Sequence, residues 1–110
     1  MTAADMAKQL NLEVLVDAGA EREVTGGYCG DLLSWVMGRA SEGDAWITVM
    51  GNLNAVAVAV LADAACIILS ESSVLDADAK ARAEQQEVPV YRSGENTFSL
   101  CCKLGKLLGV

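Results

Sequence analysis

The sequence predicts a three-layer α/β domain, with helices flanking a mostly parallel sheet of four to five strands. Three observations predict it. Short apolar runs alternate with helix-periodic segments of roughly 10 to 12 residues, the pattern of βαβ units. Apolar residues make up 53 % of the chain but aromatics only 5 %, so Ala, Val, Leu and Ile must form the core, which suits helices packed on a buried sheet. At 110 residues the chain reads as one domain over 1–110, burying roughly 60 to 70 % of the surface of its unfolded form. No linker, internal repeat or low-complexity tract divides it.

Each element has its own signal. Thr2 caps a first helix through about Leu10, with Asp5 in the capping-box position. Leu12 to Val16 reads as a strand that ends at Asp17-Ala18-Gly19, and a short extended piece follows at Glu23-Val24. Thr25-Gly26-Gly27 then reads as a strand-to-helix turn, with Asp31 as N-cap and Leu32, Leu33, Val36, Met37 and Ala40 on one stripe of the next helix. Trp35 lies about 130° from the centre of that stripe, so another surface is expected to cover it.

Ala45 to Met50 reads as a central strand. In "NAVAVAVLADAA" the valines alternate as in a strand, yet an alanine-rich run behind an asparagine cap favours a helix over Ala55 to Ala65, apolar on every side. Such a helix implies burial on two faces. Cys66 to Leu69 is a short buried strand ending in Ser70-Glu71-Ser72-Ser73. The helix Asp76 to Gln86 carries only alanines inside, with Asp76/Lys80 and Asp78/Arg82 as i,i+4 pairs outside. Val88 to Tyr91 is a further strand, with Pro89 at its start or on an edge. A last helix begins near Asn96-Thr97, is expected to bury Phe98, Cys101, Gly105 and Leu108, and leaves Lys103 and Lys106 in water.

Charge and cysteine usage exclude several functions. The net charge of −7 repels phosphate backbones and anionic membranes, so neither nucleic acid nor a membrane is expected as partner. The start of the chain lacks the basic and apolar regions of a signal peptide, and the longest apolar run, Ala55 to Ala62, is far short of a membrane span. Cys29, Cys66, Cys101 and Cys102 show no metal-ligand spacing and there is no histidine, so no metal or cofactor is expected and the chain reads as reduced and cytoplasmic. The adjacent Cys101 and Cys102 are expected to face two sides of one helix.

Loops at the carboxyl ends of parallel strands are the usual ligand sites of such sheets. Three polar turns are expected there: Thr25-Gly26-Gly27 with Asp31, Thr48 with Asn52 and Asn54, and Ser70 to Ser73 with Glu71. Their amides and hydroxyls suit a small anion, with the glycines admitting close approach. "GGYCG" is neither a Walker loop nor a dinucleotide fingerprint, and as a structural turn it needs no ligand. Without histidine, catalysis would rest on carboxylates or on Cys29 near a helix start.

The string "VTGGYCGDLLSWVMGRA" resembles the signature of the DRTGG domain family. The likeness continues through "WITVMGNLNAVAVAVLADAACIILSE" into "VPVYRSGENTFSLCCKLGKLL", from about residue 12 to 108. Of the namesake pentad, occupied here by Glu23 to Gly27, only Thr25, Gly26 and Gly27 carry over. The resemblance implies an α/β fold found beside catalytic domains in phosphotransacetylases, more distantly in HPr kinases, and between nucleotide-binding CBS domains in family II pyrophosphatases. In those settings it implies a regulatory and dimerising module. Stand-alone copies resembling this one lie near iron-only hydrogenase and NADH-linked electron-transfer genes.

The leading expectation is a non-catalytic, homodimeric regulatory module. It binds a small anionic metabolite such as an adenine nucleotide, or docks on a redox enzyme of hydrogenase type or an enzyme of acetyl-phosphate metabolism. The candidate ligand-binding set is Thr25, Gly26, Gly27, Tyr28, Asp31, Ser34, Thr48, Asn52, Asn54, Ser70 and Glu71. The alternative is a structural or assembly subunit without a ligand, and the third reading is a small hydrolase or redox protein using Cys29. The dimer is expected to use Trp35 and the all-apolar helix, including Val58.

Overall fold

A computed structural model describes residues 1–110. The chain runs α1 (Ala3–Gln9), β1 (Glu13–Val16), β2 (Gly26–Cys29), α2 (Leu33–Arg39), β3 (Asp44–Thr48), α3 (Leu53–Ala62), β4 (Cys66–Leu69), α4 (Ala77–Gln86), β5 (Val90–Arg92) and α5 (Thr97–Leu108). One five-stranded sheet has the order β1-β5-β4-β3-β2. The strands β2 to β5 are parallel, and β1 joins β5 antiparallel at one edge. The expected mostly parallel α/β domain is what forms.

Alternation along the strands divides the core in two. Trp46, Ile67, Leu69 and Val90 point to the face covered by α2, α3 and α4, where Val36, Val56, Ala59, Ala79 and Ala83 meet them. Ala45, Ile47, Cys66, Ile68 and Tyr91 point to the opposite face, where α1 contributes Met6 and α5 contributes Leu100 and Leu104. Trp46 is fully buried, and its indole N–H donates to the Gly30 carbonyl at 2.8 Å, which fixes the exit of β2. Burial of its ring therefore costs no unpaired donor.

Thr2 caps α1 through the expected capping box with Asp5, and the hydrogen bonds from Thr2 hold the Asp5 carboxyl below its ordinary value. Other details correct the sequence reading. Gly26 and Gly27 are not a turn but the first half of β2, in register with Asp44 and Ala45. Glu23 makes only an isolated bridge to Thr2. Glycine is a poor strand former, and here it marks a line along which neighbours approach the backbone closely. A Cβ on Gly26 would lie 2.7 Å from Asp44 Oδ1, and one on Gly27 3.1 Å from Leu104 Cδ2.

Leu32, not Asp31, is the N-cap of α2, with no side-chain cap bond. Only Val36 is fully buried, with Leu33 and Ala40 packed beside it, whereas Leu32 and Met37 are exposed. Trp35 stays 51 % exposed, with the Arg39 guanidinium 3.7 Å from its ring centroid. In α3 the cap is Asn52 rather than Asn54, and Asp63 in left-handed backbone ends the helix before Ala64 and Ala65. Val58 is buried in the chain's own core, while Val60 and Leu61 are exposed.

Neither i,i+4 pair of α4 closes to ion-pair distance, though its inner face is alanine, as read. Pro89 precedes β5 and offers its carbonyl to Ile67 N–H. In α5 the buried positions are Leu100 and Leu104, and Phe98 is 68 % exposed. Both stripes satisfy helical spacing, and packing on the sheet selects the leucine one. Lys103 and Lys106 are exposed, as read.

Candidate functional site

The crossovers place the ligand-accessible edge. The helices α2, α3 and α4 follow β2, β3 and β4 and all lie on one face, whereas α5 follows β5 and lies on the other. The chain therefore leaves β4 and β5 toward opposite faces. In open α/β sheets, such a switch point at the carboxyl ends of the strands opens the crevice where ligands bind.

Two loops meet at this point. Ser70 is fully buried at the end of β4, and its hydroxyl lies 2.7 Å from Thr97 Oγ1 at the start of α5. Glu71 Oε2 accepts from Thr97 N–H at 2.9 Å and from Thr97 Oγ1 at 3.3 Å. Glu71 N–H donates to the Glu95 carbonyl and Ser72 N–H to the Ser93 carbonyl, each at 2.9 Å. Ser73 Oγ turns back to the Ser70 carbonyl at 2.7 Å.

Glu71 (φ 59°) and Ser72 (φ 55°) are consecutive non-glycine residues in left-handed backbone. Each such residue costs about 1 to 2 kcal/mol, and strain of this kind concentrates at ligand clamps and switches. The surrounding hydrogen bonds hold it in place. Next to them, Asn96 caps α5 by accepting from Ser99 N–H at 2.8 Å. Lys103 and Ser99 hydrogen-bond to Glu95 and hold its carboxyl below its ordinary value.

A second polar group lies at the same edge, at the ends of β2 and β3. Asp31 Oδ1 accepts from Thr48 Oγ1 at 2.8 Å and from Val49 N–H at 2.9 Å. These donors explain why Asp31 turns away from α2 and leaves it uncapped. Asn52 satisfies Ala55 N–H at 2.9 Å, one of the amides that a helix start leaves without an intrahelical partner. Gly51 lets the two loops touch, since a Cβ there would stand 1.9 Å from the Val74 carbonyl oxygen.

The structure thus brings Asp31, Thr48, Asn52, Ser70 and Glu71 to one edge, with Asn54 exposed in the first turn of α3 and Ser34 exposed in that of α2. It does not bring Thr25, Gly26 and Gly27 there. Parallel register puts Gly26 opposite Asp44, at the amino end of the strands. Thr25 binds that opposite edge, through its N–H to the Gly43 carbonyl and its hydroxyl to the Glu42 carbonyl. Gly27 and Tyr28 lie within the strand and line a cavity of about 190 Å³ against α5, together with Cys29, Cys101 and Leu104. Thr97 and the Ser93 to Asn96 loop were not among the expected site residues, although Asn96-Thr97 was read as a helix start. The polar, glycine-containing "RSGENT" directly after a parallel strand was the signal that pointed to them.

Two carboxylates already occupy donors that an anion would use: Asp31 at Thr48 and Val49, and Glu71 at Thr97. Each has its second oxygen outside these bonds. Such oxygens accept from ligand hydroxyls, as acidic residues do with ribose. No group of three or more potential ligands is arranged for a metal ion, and no helix is long and apolar enough to cross a membrane.

No protein-family profile matches the sequence, and no curated protein does. Among solved structures the chain is similar to the CBS and DRTGG domains of the regulatory region of Clostridium perfringens pyrophosphatase, complexed with its activator diadenosine tetraphosphate. The TM-score is 0.71 at 15 % identity, over 92 % of this chain and 44 % of that one. The chain spans less than half of that neighbour's length. At this identity the likeness is one of fold, and it bears out the expected DRTGG-like α/β architecture.

Proposed function

We propose that this chain is a non-catalytic regulatory module that senses an adenine nucleotide at the β4/β5 switch point. The observation that carries the reading is the strained Glu71-Ser72 pair, held where the chain leaves β4 and β5 toward opposite faces. Displacing Glu71 frees the Thr97 N–H and hydroxyl as donors for phosphate, and the displaced carboxylate accepts from ribose. Phosphate binding displaces Glu71 from the start of α5, and that movement is the signal. Support from outside the site comes from a fold shared with the regulatory region that binds diadenosine tetraphosphate.

A non-catalytic role is favoured because no histidine is present and the carboxylates at this edge serve as internal acceptors. The module acts as a homodimer through the outer faces of α2 and α3, where Trp35, Met37, Val60 and Leu61 are exposed. The sequence resemblance, rather than any surface of the chain, supports a redox or acetyl-phosphate enzyme as the regulated partner.

Titration calorimetry with AMP, ADP, ATP and diadenosine tetraphosphate tests the proposal. One of them binds and raises the melting temperature with concentration, and Thr97→Val weakens it about tenfold, the equivalent of one lost hydrogen bond to a charged group. Glu71→Gln tightens it by removing the competing carboxylate. A nucleotide whose affinity ignores both substitutions places the site elsewhere, and no binding by any of the four leaves the structural-subunit reading.

A further inference from the structure

The edge strand β2 and helix α5 meet where Gly27 faces Leu104. From Gly27, two strand residues, about 6.6 Å, lead to Cys29 on the same face of β2. From Leu104, three helix residues back, about 4.5 Å, lead to Cys101 on the same face of α5. Because Thr97 at the start of α5 sits at the carboxyl edge beside Ser70, both steps run toward that edge. Cys29 and Cys101 accordingly line one cavity with Gly27, Leu104, Gly105 and Leu108.

The two sulfurs differ in the way an exchanging pair requires. Cys29 is exposed and Cys101 half-buried. Burial pushes the Cys101 thiol up to about 12. Cys29 is therefore the sulfur that meets solvent, and access selects the attacking thiol. Cys66 is buried within β4 and Cys102 is exposed outside this cavity.

We propose that Cys29 and Cys101 form a reversible dithiol–disulfide couple whose co-reactant is a low-molecular-weight disulfide. The Cys29 thiolate attacks one sulfur of that disulfide, forming a mixed disulfide and expelling one thiolate. Cys101 then loses its proton to solvent and attacks Cys29 Sγ, expelling the second thiolate. The protein loses two electrons and two protons, and the small disulfide is reduced to two thiols. The bond ties α5 to the edge strand across the cavity. This inference is independent of the nucleotide reading.

The test uses the full reduced chain with oxidised glutathione, followed by thiol titration in denaturant and mass spectrometry without reductant. The wild type falls from four free thiols to two, loses two hydrogens, stays a single covalent chain and melts higher. Cys102→Ser also loses two thiols, whereas Cys29→Ser forms no internal bond and Cys101→Ser stops at a glutathione adduct on Cys29. Circular dichroism on the serine variants checks that each is folded before exposure. An internal bond in Cys101→Ser, a Cys101–Cys102 bond in the wild type, or a wild-type adduct that never resolves overturns the proposal.

Discussion

Tyr91→Phe is expected to stabilise this protein, although it deletes a polar atom from the core. Tyr91 is fully buried on β5, and its hydroxyl is the one buried side-chain polar atom without a hydrogen-bond partner. Burial, with Cys66 and Asp17 nearby, raises the phenol above its ordinary value. A buried hydroxyl left unsatisfied costs about 1 to 3 kcal/mol. Removing one oxygen leaves a void of roughly 15 Å³, worth about 0.4 kcal/mol against the variant at about 24 cal/mol per Å³. The balance is about 1 kcal/mol in favour of phenylalanine. With an unfolding entropy of about 2.1 cal/mol/K per residue over 110 residues, the melting temperature rises by about 4 °C. Urea titration and calorimetry on both proteins check it. A Tyr91→Phe chain less stable by 1 kcal/mol or more refutes the reasoning. It would mean that the hydroxyl has a partner in the adjoining cavity lined by Lys8, Asn11 and Asp17.

Three further outcomes follow from single features. Ser72→Gly gains about 0.5 to 1 kcal/mol in denaturant unfolding, because glycine adopts φ 55° freely and the Ser72 side chain makes no hydrogen bond; the extra entropy of glycine in the unfolded chain limits the gain. Asn52→Ala loses about 1 kcal/mol through the missing cap at Ala55, read from the same titration. Stability falls at alkaline pH. Burial pushes Cys66 up to about 12 from an ordinary 9.0, so its contribution is complete below the unfolded thiol value and is lost as pH rises from there toward the folded one. Cys66→Ala is expected to flatten that slope in melting curves taken between the two values.

The strands and helices were legible because apolar runs and helical stripes each carry their own period. What the sequence hid was decided by contacts distant in the chain. Gly26 and Gly27 read as a turn because glycine disfavours strands, yet Asp44 and Leu104 stand close to that line of chain, most tightly at Gly26. Asp31 looked like a cap, but Thr48, seventeen residues on, offered it better donors. The Phe98 stripe and the Leu100 stripe of α5 both have helical spacing, and only the sheet beneath distinguishes them. The carboxyl edge was legible at Thr48, Ser70 and Glu71. Its division at β4/β5 was not, because nothing local in the sequence states that α5 crosses to the other face.

Assembly separates two helix faces that the sequence merged. A helix apolar on every side suggested that Val58 would serve a dimer, but α3 buries Val56 and Val58 against its own sheet and leaves Val60 and Leu61, the latter 69 % exposed, outside. Val58→Glu therefore places a charge in the monomer's core and unfolds the chain whether or not it dimerises. Leu61→Glu is the discriminating change: it leaves the core intact and puts two like charges into a two-fold contact. A standard interface takes about 800 Å² from each partner, roughly a seventh of the 5514 Å² surface, and the outer faces of α2 and α3 with Trp35 at hand must supply it. Light scattering is expected to show a wild-type dimer and a Leu61→Glu monomer with unchanged circular dichroism. A folded wild-type monomer at high micromolar concentration, or a Leu61→Glu dimer, shows that these exposed side chains are not the contact.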